Sequence, residues 1–118
     1  MKKIEGLIAA PFVPLSAKDE VMYDFIPGYY EFLEKNKIVG AFINGSTGEG
    51  VSLSQAEKRK ITEKWTSVGS VRKTMKVINL VGGTSYQECI ESAIHSRENG
   101  VDAIAILAPY YFKPAGAK

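Results

Sequence analysis

The sequence predicts an α/β fold built on a parallel β-sheet. Four apolar runs, each short enough to be a strand, recur along the 118 residues, and segments with helical spacing of apolar residues separate them. The runs are continuously apolar rather than alternating, which is typical of parallel strands with helices packed on their faces. The alternation of strands and helices therefore indicates consecutive βα units in a single domain that covers residues 1–118. Such units can form either an open doubly wound sheet or part of a (β/α)8 barrel.

The composition excludes several classes of function. A net charge of +2, with the lysines scattered, does not favour a nucleic-acid partner. The apolar run after Lys2 and Lys3 is short and contains Pro11, so neither a secretory signal nor a membrane span is predicted. The single cysteine, Cys89, excludes an internal disulfide and fits a reducing compartment, so we expect a cytoplasmic location.

The first βα unit is predicted from its prolines and its helical spacing. Residues 4–10 form an apolar strand that Pro11 and Pro14 end, and a loop follows through residues 16–20. A helix is expected to begin near Asp24 as N-cap, with Pro27 tolerated in its first turn, and to end at residues 36–37. Its apolar face is formed by residues at positions i, i+3, i+4 and i+7: Ile26, Tyr29, Tyr30 and Leu33.

The second unit combines residues 38–44 as a strand with a helix that begins at a capping box. The box is Ser54 with Glu57, whose side chains can each satisfy a free N–H group of the first helical turn. We expect Gly69 to end this helix. Its buried side is predicted to consist of Ile61, Trp65 and Val68.

The third unit repeats this arrangement. Residues 76–81 form the strand, Ser85 and Glu88 form a second capping box, and Asn99 with Gly100 ends the helix. Residues 101–108 form the fourth strand. The helix is predicted to turn three residues to the core: Ile90, Ala93 and Ile94.

A glycine-rich segment, residues 45–50, follows the second strand and is the candidate binding element. Free backbone N–H groups in such a turn, with the hydroxyls of Ser46 and Thr47, suit a small anion, most simply a carboxylate. The alternative is a tight strand-to-helix turn in which these hydroxyls only cap local backbone. Four segments follow the C-terminal ends of the strands and are expected to converge at one edge of the sheet: residues 11–14, 44–49, 82–85 and 109–113.

Other catalytic arrangements find little support in the sequence. There is no cluster of His and Cys residues for a metal and no nucleotide-binding glycine motif, so no cofactor is expected. We expect His95 and Cys89 to have packing or surface roles, and Glu49 to hold its loop by accepting backbone N–H bonds. No lysine is predicted to be a nucleophile. Those considered are Lys58, Lys60, Lys64, Lys73, Lys76, Lys113 and Lys118.

Three stretches of the chain together resemble a known superfamily. They are residues 6–11 (GLIAAP), residues 45–50 (GSTGEG) and residues 108–114 (APYYFKP). This combination is similar to the N-acetylneuraminate lyase and dihydrodipicolinate synthase superfamily, and the match runs along the entire chain. Serine before Thr47, with the continuation EGVSLS, resembles the neuraminate lyase branch more closely.

The resemblance implies a fold, a reaction and a set of site residues. The fold would be the first half of a (β/α)8 TIM barrel, with four parallel strands and three intervening helices. The reaction would be that of a class I aldolase, which cleaves N-acetylneuraminate to N-acetylmannosamine and pyruvate through a Schiff base in a homotetramer. Ser46, Thr47 and Gly48 would bind the carboxylate. Ser46 and Tyr111 would belong to a hydroxyl relay, with Tyr111 reaching into a neighbouring subunit.

The chain departs from this pattern because it holds four strands. The Schiff-base lysine of the sixth strand and the proton-transfer tyrosine of the fifth are therefore missing, so we expect the 118 residues alone to be inactive. Two alternatives stay open. One is dihydrodipicolinate synthase or another pyruvate aldolase, and the other is a truncated, non-catalytic form that acts as a binding or interaction module.

Overall fold

The computed structural model describes residues 2–111 and 115–116. It contains one parallel sheet with strand order β1-β2-β3-β4, and three helices connect these strands. The strands are β1 (Ile8–Ala9), β2 (Gly40–Ile43), β3 (Lys76–Leu80) and β4 (Ala103–Ala105). The helices are α1 (Ile26–Lys35), α2 (Gln55–Arg72) and α3 (Tyr86–Glu98), with short 3-10 turns at Tyr23–Phe25 and Gly50–Ser52.

All three helices lie on the same face of the sheet. Ala41, Ile43 and Val77, which share that face, belong to one buried cluster with residues of α1 and α2. Asn79, on the same face of β3, donates a hydrogen bond to Ser96 of α3. A doubly wound sheet carries helices on both faces, whereas a barrel carries them all outside. The one-sided arrangement and the sequential strand order therefore identify the first part of a barrel.

The core lies between α1, α2 and the central strands. Tyr30 is completely buried, and its hydroxyl accepts a hydrogen bond of 3.0 Å from the backbone N–H of Met75, the residue before β3. Trp65 packs against both Tyr29 and Tyr30, with ring centroids 5.8 and 6.1 Å apart. The predicted inner faces of α1 and α2 are thus confirmed at these positions.

The two outer strands are much shorter than predicted. Residues 4–10 and 101–108 are strand only at Ile8–Ala9 and Ala103–Ala105, because each has a single neighbour to pair with. An apolar run shows that a segment is suited to the sheet, but ladder hydrogen bonds need a partner strand.

Two predicted helix ends are wrong. Asp24 is not an N-cap: it lies in the 3-10 turn before α1 and pairs with Lys64 at 3.5 Å. Gly69 does not end α2, which continues to Arg72 and closes at Lys73 in the left-handed region (φ 56°). At Gly69 a Cβ would lie 3.6 Å from Val77, so this glycine marks a close approach of α2 to β3 instead.

The two capping boxes and the face of α3 also differ in detail from the prediction. The box of Ser54 and Glu57 is complete, whereas Ser85 accepts from the N–H of Glu88 at 3.3 Å without the reciprocal bond. On α3, Ile94 is 44% exposed, and Ser96 is the fully buried residue. The polar side chain faces the sheet because it meets a polar partner there, Asn79.

Tyr30→Phe tests the link between α1 and β3. It leaves the buried N–H of Met75 without an acceptor, so we expect the free energy of unfolding to fall by about 1–3 kcal/mol. Chemical denaturation measures this change. Tyr29→Phe is the matched control on the same helix and is expected to change stability by less than about 0.5 kcal/mol. Equal losses in the two variants would contradict the assignment.

Glu34→Gln tests an ionic cluster at the N-terminal end of the sheet. The pKa of the Glu34 carboxyl is lowered most by its hydrogen bonds from Arg72, and next by the hydrogen bond from the hydroxyl of Thr74. Since the folded pKa lies below the unfolded one, the stabilisation is present above the unfolded pKa and is lost as pH falls through the folded pKa. We therefore expect wild type to lose more stability than the variant on acidification, measured by urea unfolding at stepped pH. Parallel curves would contradict this.

Candidate functional site

The segment after β2 forms a closed turn at the C-terminal end of that strand. Asn44 begins it in the left-handed conformation (φ 59°), and the N–H of Gly50 donates to the carbonyl of Gly45 at 3.0 Å. A Cβ on Gly50 would lie 2.1 Å from the carbonyl oxygen of Asn44, so only glycine allows this closure. We call residues 45–50 the donor loop.

The donor loop presents hydrogen-bond donors that have no acceptor. In residues 2–111 and 115–116, no acceptor is bonded to the backbone N–H groups of Ser46, Thr47 or Gly48. The side chains of Ser46 and Thr47 are exposed, whereas Gly48 is buried against the segment that follows β1. A Cβ on Gly48 would lie 3.2 Å from the carbonyl of Pro11. The arrangement suits an acceptor-only group such as a carboxylate.

A cleft of about 420 Å³ opens beside the donor loop, between α2 and α3. It brings Ser46 together with Thr84, Ser85 and Tyr110, which follow β3 and β4. The predicted convergence of strand-end segments is confirmed for these residues. Thr47 and Gly48 do not border this cleft, although they belong to the same loop.

Tyr111 is separated from Tyr110 by a sharp change of backbone direction. Its φ is 73°, in the left-handed region, and its side chain is 87% exposed and does not border the cleft. Adjacent tyrosines are therefore placed differently, one at the cleft and one at the surface. Lys113, which was considered as a nucleophile and not favoured, lies outside the described residues.

A buried amide network lies behind the donor loop, and the sequence analysis missed it. The side-chain amino group of Asn44 donates to the side-chain oxygen (Oδ1) of Asn79 at 2.8 Å and to the hydroxyl of Thr62 at 3.2 Å. Asn79 in turn donates to the hydroxyl of Ser96 at 2.8 Å. The network joins β2, β3, α2 and α3. The signal in the sequence was an asparagine in each of two otherwise apolar runs, Asn44 at the end of one and Asn79 within the other.

The charged residues near the cleft also refine the predictions. Lys58 was expected to be solvated but is half-buried. It borders the cleft together with Arg59 and Glu88, which are exposed. His95 joins α3 to α2 through Glu63 at 3.0 Å, which agrees with a packing role.

Glu49 and Lys76 were placed by sequence as well, with opposite outcomes. The prediction for Glu49 is wrong: its side chain is exposed and accepts no hydrogen bond within the described part of the chain. Lys76 is the first residue of β3, as predicted, and so lies at the N-terminal end of the sheet. It pairs there with Asp102 at 3.7 Å.

The described ranges, 2–111 and 115–116, hold neither a metal-binding cluster nor a helix that could span a membrane. They contain no group of three or more His, Cys, Asp or Glu side chains suited to holding a metal ion. None of their helices has the length and apolar character that crossing a membrane requires.

The fold and the donor loop define a class of protein. Parallel strands in sequential order, helices on one face and a donor-rich loop at a strand's C-terminal end are the features of a barrel that takes its ligands at that end. The profile of the Dihydrodipicolinate synthetase family matches residues 3–118, so the chain belongs to this family.

Curated relatives agree with this assignment. The chain is 39% identical to N-acetylneuraminate lyase from Homo sapiens over 114 residues, which is 96% of this chain and 35% of that protein. It is 36% identical to N-acetylneuraminate lyase from Danio rerio over 118 residues, covering 99% of this chain and 38% of the relative. The chain therefore spans little more than a third of the length of these relatives.

Solved structures confirm the predicted fold. N-acetylneuraminate lyase from Proteus mirabilis superposes with a TM-score of 0.90 at 31% identity, over 98% of this chain and 38% of that one. Dihydrodipicolinate synthase from Aquifex aeolicus superposes with a TM-score of 0.87 at 30% identity, over 94% of this chain and 37% of that one. The chain is a partial, N-terminal TIM barrel.

Gly50→Ala tests the closure of the donor loop. The added methyl group overlaps the backbone of Asn44, so we expect a loss of about 1–3 kcal/mol in unfolding free energy and displaced amide resonances at residues 45–50. Gly28→Ala is the control, since nothing lies within 4 Å of its Cβ position in α1. It should be neutral or stabilising by up to about 1 kcal/mol. A tolerated Gly50→Ala would contradict the observed turn.

Proposed function

We propose that this chain is the carboxylate-binding part of an N-acetylneuraminate lyase. The complete enzyme would be a Schiff-base aldolase that cleaves N-acetylneuraminate to N-acetylmannosamine and pyruvate. The observation that carries the proposal is the donor loop, whose free N–H groups and paired hydroxyls at the C-terminal end of β2 suit the carboxylate of a 2-oxo acid. The neuraminate lyases among the relatives support the choice of reaction.

Each residue of the site has a distinct role in this proposal. Thr47 and the N–H groups of residues 46–48 hold the carboxylate and so orient the neighbouring ketone. Ser46 contributes to the same grip, and its hydroxyl also passes a proton. The lysine that attacks the ketone belongs to a sixth strand, and the tyrosine that moves the proton during carbon–carbon cleavage belongs to a fifth. The described residues form four strands, so binding is the activity we assign to this chain.

Tyr111 is proposed to complete the relay in a neighbouring subunit. The 87% exposure of Tyr111 supports this role, and Tyr110 differs from it in bordering the cleft of its own chain. The proposal includes assembly of the complete protein as a homotetramer and a cytoplasmic location, in keeping with the single cysteine.

A second candidate keeps the site and changes the substrate. The family profile and the Aquifex aeolicus structure favour dihydrodipicolinate synthase, in which pyruvate would condense with a semialdehyde instead of being released from a sugar acid. Both candidates need the same carboxylate grip. Turnover of sialic acid against turnover of pyruvate with aspartate semialdehyde, measured on the complete barrel, separates them.

Carboxylate binding by the donor loop can be tested on the chain itself by titrating pyruvate and following the backbone amide resonances. We expect shifts centred on residues 46–48, and we expect Thr47→Val to weaken binding about tenfold or more because a hydrogen bond to a charged group is lost. Ser67→Ala, which removes an exposed hydroxyl on α2, is the control and should bind as wild type does.

The choice of ligand makes the same titration specific. Methyl pyruvate keeps the ketone but lacks the carboxylate charge, so it should leave residues 46–48 unshifted. Shifts with methyl pyruvate equal to those with pyruvate, or none at these residues with pyruvate, would sink the proposal. In the complete barrel, borohydride trapping of pyruvate should give a covalent adduct on a lysine outside this chain.

A further inference from the structure

We propose that Asn44 is the positioning residue of the donor loop and that its side-chain amide fixes the angle at which the loop leaves β2. This inference rests on the proposed function, since it assigns the residue that holds the carboxylate-binding groups in place. Asn44 is the last residue before the loop, is 5% exposed and makes no contact with the bound anion in this scheme. It would act through Gly45 and Ser46.

The backbone of Asn44 is in the left-handed conformation. A φ of 59° turns the chain sharply at the end of β2, and the left-handed region costs a side-chain-bearing residue free energy that local contacts must offset. Asparagine tolerates this region better than other residues with a Cβ. The carbonyl of Asn44 also lies against Gly50, so the same residue defines both the entry and the exit of the loop.

The hydroxyl partners of Asn44 and Asn79 set the orientation of the two amides. The hydroxyl of Thr62 donates to the carbonyl of Lys58 at 2.8 Å, so it has no proton left and must accept from Asn44. At the other end, the hydroxyl of Ser96 donates to the carbonyl of Ser92 at 2.7 Å and must accept from Asn79. Thr62 and Ser96 therefore both act as acceptors, so the amino groups of Asn44 and Asn79 are the donors toward them.

The amino group of Asn44 bonds to both a strand and a helix. On β3 it donates to the side-chain oxygen of Asn79 at 2.8 Å, and on α2 it meets the hydroxyl of Thr62 at 3.2 Å and the backbone carbonyl of Lys58 at 3.5 Å. Its Oδ1 is buried and has no partner in the described part of the chain. All of the anchoring thus passes through the amino group, which ties the start of the loop to a neighbouring strand and a helix.

Three variants separate this role from a simple need for a left-handed residue. Asn44→Gly keeps the backbone conformation accessible and removes the amide, whereas Asn44→Ala removes the amide and also strains the backbone. Thr62→Val keeps Asn44 and removes one acceptor. Thr66→Val is the control, because Thr66 is a buried threonine one turn along α2 whose hydroxyl bonds only within the helix.

Two measurements are made on the chain: pyruvate affinity from the amide shifts of residues 46–48, and amide hydrogen exchange of the donor loop without ligand. We expect Asn44→Gly and Asn44→Ala both to bind about tenfold more weakly, since a loop in its binding geometry a tenth of the time loses that factor. Both should also exchange faster at residues 45–50. Thr62→Val should show a smaller loss in the same direction, and Thr66→Val none.

Each other outcome decides the question. Wild-type affinity and exchange in Asn44→Gly would overturn the proposal, because the backbone conformation alone would then suffice. If the Asn44 variants do not fold, the comparison of Thr62→Val with Thr66→Val decides, and equal behaviour of these two overturns it. If wild type shows no shift with pyruvate, the proposed function fails, and the ligand-free exchange rates alone decide whether Asn44 positions the loop.

Discussion

The hydrogen bond between the side chains of Asn44 and Asn79 joins the two central strands at the edge where the donor loop begins. An amide pair buried beneath helices must satisfy its donors or destabilise the fold, so its neighbours are constrained as well. Thr62 and Ser96 supply the remaining partners from α2 and α3. The helices cannot shift relative to the sheet without breaking these bonds, and the loop that follows Asn44 inherits this rigidity.

The two ends of the sheet carry different kinds of polar groups. At the N-terminal end, Glu34 pairs with Arg72 and Asp102 pairs with Lys76, so these charges are paired with one another. At the C-terminal end, the donor loop has N–H groups that meet no acceptor among the described residues. In barrels, groups at the first end generally serve stability and groups at the second bind ligands.

Sequence patterns predicted the fold well because helices and parallel strands follow from local periodicity. Ile26, Tyr30 and Trp65 were assigned to the core from spacing alone, and the barrel was assigned from the donor-loop motif with its flanks. Strand lengths at the sheet edges could not be predicted, since pairing depends on a neighbour. The pair of Asn44 and Asn79 was missed because the two residues are far apart in sequence. Periodicity also could not predict that Ser96, and not Ile94, is the residue of α3 that faces Asn79.

The sequential strand order has a consequence for how this structure forms. Every strand pairs with the one before it in the chain, so the sheet can grow by one βα unit at a time with short loop closures. Each added unit covers the edge left by the previous strand and presents a new one. The last strand, β4, therefore has backbone groups open for pairing, and apolar residues such as Ile104 are exposed beside them. While this edge is uncovered, it can pair with further strands or with other chains.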